Sequence, residues 1–124
     1  MCGLPNWLDV SLERVGGPCY RVVMEGMALE YQASPCGPDQ YGATERIRPR
    51  GQAWRDFLTA LEAISFWQWQ PEYQGGGADG VRWSIEIAQH YRTTASSGIN
   101  AYPDGEAFPQ FCAALSALIE RPFA

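Results

Sequence analysis

Val81, Trp83, Ile85, Ile87 and Tyr91 share one parity of the chain, and Arg82, Ser84, Glu86, Ala88 and His90 share the other. A period of two over this length predicts a β-strand with one buried face and one wet face, His90 lying on the wet one. Such a strand cannot stand alone. It needs neighbours to pair its backbone and a second layer to cover its apolar side. The chain then continues through Arg92, Thr93 and Thr94 as a bend into a further strand that ends near Ser96.

Cys19 to Ala33 reads as a hairpin. A two-residue turn at Glu25-Gly26 pairs Met24 with Met27, Val22 with Leu29 and Tyr20 with Tyr31, which places the large apolar side chains on one face and brings Arg21 to Glu30 on the other. Upstream, Asp9 to Arg14 alternates weakly as a first strand, ended by Gly16-Gly17-Pro18. Pro35 to Gly42 is turn chemistry throughout, and a short strand follows around Thr44 to Arg48. Phe66 to Gln70 reads as another strand, with Trp67 and Trp69 on one face.

Two segments carry helical periodicity. From Gln52 to Ile64, Trp54, Phe57, Leu58 and Leu61 follow the i, i+3, i+4, i+7 rule. From Glu106 or Phe108 to Glu120, Phe108, Phe111, Cys112, Leu115, Leu118 and Ile119 form a second stripe. Asp104 fits an N-cap, Pro109 fits only the first turn, and Pro122 stops the helix. The expected architecture is a single α+β domain spanning residues 1–124, an antiparallel sheet of about five or six strands with two amphipathic helices packed on one face. At 124 residues the chain has the usual size of one domain.

The second half of the chain carries a pattern. It runs Trp67-x-Trp69-x-x-x-Tyr73, then Asp79-Gly80-x-x-Trp83-x-Ile85, then Ser97-Gly98-x-Asn100-Ala101-Tyr102-Pro103 and an amphipathic helix. This resembles a group of small bacterial domains of unassigned activity that share these residues in this order. The likeness covers roughly residues 8 to 120, and its specific part is Ser97–Pro103. It implies a bacterial source and a shared fold, and no activity.

Composition narrows the functional classes. All nine basic residues are Arg, and against 14 carboxylates they leave a net charge of −5. A nucleic-acid surface needs clustered positive charge. The one cluster here, Arg46, Arg48 and Arg50, follows Glu45 and leads into a helix, so nucleic acid is not an expected partner. No apolar run approaches the ~20 residues of a membrane span. The first residues lack the basic and apolar regions of a secretory leader, and Gly3 behind Cys2 breaks the N-myristoylation pattern. No membrane association and a cytoplasmic location are expected.

The cysteines, Cys2, Cys19, Cys36 and Cys112, form no C-x-x-C pair and have His90 as the only imidazole in the chain, so no metal site is expected and reduced, mostly buried thiols are. Cys19 and Cys36 flank the hairpin and could approach each other. The glycine run Gly75-Gly76-Gly77 opens a strand rather than a helix and lacks a Lys, which makes it a turn and not a phosphate cradle. No cofactor is implied.

No nucleophile has a base in reach of its motif, and no catalytic residue is assigned. Glu72, Asp79 and Glu86 lie near Trp-rich segments, the residue types of a carbohydrate site or of a hydrolase with paired carboxylates. The candidate binding residues are Glu72, Tyr73, Asp79, Asn100 and Tyr102. Asn100 and Tyr102 fit turn chemistry as well as a ligand rim. The expected role is a non-enzymatic binding module, of the inhibitor or immunity-protein kind, with a protein partner. The alternatives are a small-ligand or carbohydrate-binding protein, or a hydrolase. An open sheet also leaves edges that a homodimer could pair.

Overall fold

A computed structural model describes residues 5–14, 18–35, 44–75, 80–89, 92–103, 105–121 and 123. The strands are β1 (Trp7–Arg14), β2 (Pro18–Glu25), β3 (Ala28–Pro35), β4 (Glu45–Ile47), β5 (Glu72–Gln74), β6 (Val81–Gln89) and β7 (Arg92–Ile99). The helices are α1 (Gly51–Ala63) and α2 (Ala107–Ile119). The strands form one seven-stranded sheet in the order β4-β3-β2-β1-β6-β7-β5. Every pairing is antiparallel except β5 with β7, which run parallel, so the sheet is mixed and larger than expected.

The weakly alternating first strand is the middle of this sheet. Leu8, Val10 and Leu12 of β1 are fully buried, and they lie opposite Ile87, Ile85 and Trp83 of β6. The same face carries Val22 and Met24 of β2 and Leu29 and Tyr31 of β3. Both helices feed this core, α1 through Trp54, Phe57 and Leu61, and α2 through Phe108, Phe111, Cys112, Leu115, Leu118 and Ile119. The helical stripes read from sequence are therefore the buried ones. Pro109 sits in the first turn of α2, where its missing N–H costs nothing. The N-cap of α2 is Glu106 and not the expected Asp104, and its side chain makes no cap hydrogen bond; the face assigned to His90 lies outside the described residues.

Two expectations need correction. The hairpin turns one residue later, at Gly26-Met27, so Met24 pairs with Leu29, Val22 with Tyr31, Tyr20 with Ala33 and Arg21 with Gln32. Gly26 takes φ +65° at the first central position, where two-residue hairpins favour glycine. Moving the turn by one residue slides the pairing by two, which preserves the faces and leaves Met27 73% exposed at the tip.

Phe66–Gln68 is a 3₁₀ turn and not a strand, and β5 begins only at Glu72. Ser65 enters it at φ +55°, and Phe66 is fully buried among Trp67, Trp69 and Phe111. The carbonyls of this segment are bonded by side chains of β7: Thr94 Oγ1 donates to Trp67 O and Ser96 Oγ to Gln70 O. The Arg92 guanidinium lies 4.1 Å above the Trp67 ring and pairs with Glu62 of α1. The segment before β5 thus lies along β7, and the sheet ends in a three-residue strand on each side, β5 and β4. Short edge strands discourage strand addition.

Candidate functional site

The segment that carries the family-like pattern closes around Trp83. Its indole N–H donates to the Ala101 carbonyl at 2.8 Å. Its ring meets Trp69, Tyr73, Tyr102 and Phe108, with centroids 4.9 to 6.5 Å away, and the Tyr102 ring is within 8° of parallel. Gly98 lies directly across from Trp83 on β7. A Cβ there would stand 2.6 Å from Cε2 of Trp83, and closer still to its Nε1 and to the Ala101 oxygen. The glycine is required because the indole lies on its backbone.

Asn100 follows at φ +54°, a conformation that Asn tolerates better than most residues. Its Oδ1 accepts from Val81 N–H at 2.9 Å, and its own N–H donates to the Val81 carbonyl. Of the candidate binding residues, the structure thus gathers three at this end of the sheet. Asn100 latches β7 to the start of β6, Tyr102 covers Trp83, and Tyr73 packs on Trp83 while its hydroxyl accepts from Gln70 N–H. Glu72 is exposed on β5 and turned to the other side of the sheet, and Asp79 lies outside the described residues.

That other side is open. Alternate residues of every long strand, from Asp9, Ser11 and Glu13 on β1 to Arg82, Ser84 and Glu86 on β6 and Thr93, Ala95 and Ser97 on β7, are exposed or half-buried. The middle of the face is low, because Ser11, Ser84, Ala95 and Ser97 have short side chains. Beside them is a shallow polar depression of about 330 Å³ lined by Asp9, Ser11, Glu13, Arg21, Gln32 and Ser84. Asp9 and Arg21 form a cross-strand ion pair at 3.4 Å, and the indole N–H of the 39%-exposed Trp7 donates to Glu86 at 3.2 Å. None of the depression's residues was among the candidate binding residues read from sequence. The signal was present in the odd-numbered polar residues of β1, whose alternation is weak because Arg14 falls at the apolar parity and Trp7 at the wet one.

Of the five tryptophans only Trp7 shares a wall with the carboxylates. Glu72 and Glu86 are on the open face, with Cα atoms roughly 12 Å apart by strand spacing and rise. Trp67, Trp69 and Trp83 pack on the helix side. Among the described residues no group of three or more His, Cys, Asp or Glu is placed to hold a metal ion.

Cys19 is disulfide-bonded, to a partner outside the described residues, so the expectation of reduced thiols fails for it. A disulfide is more typical of an oxidising compartment than of the cytoplasm. Cys112 is free and buried, and burial pushes its thiol up to about 11, only partly opposed by the charge of Arg14. A thiol so held is a poor nucleophile at neutral pH. No described helix is long and apolar enough to cross a membrane. No family model, no curated protein and no solved structure matches the chain.

Proposed function

We propose that the protein is a non-enzymatic binding module that presents the open face of its sheet to a basic protein surface. The observation that carries this reading is the charge of that face. Asp9, Glu13, Glu30, Glu72 and Glu86 project there against Arg21, Arg46 and Arg82. Net negative charge on a broad surface speeds encounter with a positive partner and rejects negative ones. The sheet spans roughly 30 Å at ordinary strand spacing, enough for a standard protein interface. Trp7 at its margin supplies an aromatic anchor of the kind that dominates binding energy. An inhibitor or immunity-type protein of a bacterium is the class that this surface, size and charge fit. The short edge strands favour the face over an edge as the place of attachment, for a partner or for a second copy.

The hydrolase and carbohydrate readings are weaker, because Trp67, Trp69, Trp83, Tyr73 and Tyr102 lie on the opposite side of the sheet from Glu72 and Glu86, which leaves Trp7 as the one tryptophan on their face. The test is affinity capture from source-cell lysate with three baits: the wild type, Glu13→Arg/Glu86→Arg, and Asp56→Arg on the exposed side of α1. A basic protein retained by the wild type and by Asp56→Arg, but lost by the open-face variant, supports the proposal. Retention by all three baits, or capture of nothing, overturns it.

A further inference from the structure

Arg14 breaks the logic of β1. It shares parity with Leu8, Val10 and Leu12, so at the end of the strand a guanidinium emerges on the apolar, helix-bearing side of the sheet. It is half-buried, it lies near enough to Cys112 of α2 to act on its thiol, and it makes no hydrogen bond or ion pair with a described residue. The guanidinium donors are therefore not committed to any described residue and can reach an anion in the groove beside them.

Beside it runs a groove of about 530 Å³ along α2, lined by Arg14, Tyr102, Phe108, Cys112, Ala113 and Phe123. The volume falls within the range of small-molecule sites, and the wall is mainly apolar with one charged group at its margin, the usual pattern of such sites. Tyr102 and Phe108 form its aromatic end, held at 4.9 Å from each other and both packed on Trp83.

We infer that this groove binds a small amphiphilic monocarboxylate, with its apolar tail along α2 and its carboxylate on Arg14. A guanidinium matches a carboxylate through two parallel N–H···O bonds. One guanidinium, in a chain without a single Lys and with net charge −5, suits a monoanion better than a phosphate dianion, which recruits several cations. The groove is on the opposite side of the sheet from the proposed protein-binding face, so the two readings stand or fall separately.

The probes are decanoate and decan-1-ol, which share a tail and differ in charge, titrated by calorimetry and by backbone amide shifts. Decanoate is expected to bind the wild type at least tenfold more tightly than decanol, with the largest shifts at Cys112 and Ala113. Arg14→Gln should erase that preference while leaving the decanol affinity within a factor of two. Ala113→Trp, at an exposed helix position where the fold tolerates a large side chain, should block both probes. Glu13→Arg/Glu86→Arg should bind decanoate as the wild type does. Equal binding of the two probes by the wild type, no binding of either, or undiminished binding by Ala113→Trp overturns the inference.

Discussion

On the helix face of β6, Trp83 touches four aromatic rings, donates to a backbone carbonyl and lies on a glycine that no other residue could replace. On the opposite face, its neighbours Ser84 and Glu86 are exposed, and among the described residues the one side-chain hydrogen bond of Glu86 is that from Trp7, at 3.2 Å. The strand is the same and the residues alternate, yet one side is determined many times over and the other hardly at all. Packing explains the identity of nearly every residue on the first side. On the second the described interactions are few and solvated, the Asp9–Arg21 pair and the Trp7–Glu86 hydrogen bond among them, so packing constrains those side chains far less.

The sharpest way to break the helix face is Gly98→Ala. Its Cβ must displace either the indole or the Ala101 backbone, so the expected loss is about 3 kcal/mol, read as a shift of the urea midpoint at unchanged m-value. A milder handle on the same side is pH. The Cys112 thiol is raised in the folded protein to about 11, so the native state holds its proton more tightly than the unfolded chain. The contribution is fully present below about pH 8.5 and is lost as pH climbs toward 11, a change approaching about 2 kcal/mol. Denaturation at pH 7.5 and pH 10.5, compared with Cys112→Ala at both, isolates it; an equal gap between wild type and variant at the two pH values would contradict the buried environment. The open face should be nearly silent in stability. Asp9→Asn with Ser84→Ala is expected to shift the unfolding free energy by less than about 0.5 kcal/mol, since the ion pair is solvated and its partner Arg21 is half exposed. A larger loss would mean that this face is structural, and would weaken the binding proposal.

The α+β class, both helices and their buried stripes were readable because a period of 3.6 over 13 residues, or of two over nine, leaves few alternatives. The hairpin slid by two residues because both registers keep the same faces, and only the backbone preference at Gly26 separates them. Trp67 and Trp69 mimicked a strand pattern, but Phe66 was the anchor, and side-chain hydrogen bonds from Thr94 and Ser96 replaced a ladder that no periodicity could reveal. Of the candidate residues, Asn100 and Tyr102 were legible as a turn. Their dependence on Trp83 was not, since it spans 18 residues and rests on a hydrogen bond from indole to backbone. Arg14 carried a visible signal, a charge at a parity otherwise apolar, which is easily taken for the frayed end of a weak strand.

The place of β1 in the middle of the sheet has a kinetic consequence. Its second neighbour is β6, and the pairs Arg14 with Val81 and Trp7 with Ala88 join residues separated by most of the chain. A ribosome adding roughly 5–20 residues each second needs several seconds to make that intervening stretch. During that time β1, β2 and β3 can already pair locally, while the far side of β1 offers unpaired backbone and the buried row Leu8, Val10 and Leu12 has no cover. Late closure of this seam, rather than any helix, should therefore set the folding rate, and the nascent chain is most open to aggregation or chaperone capture just before β6 emerges.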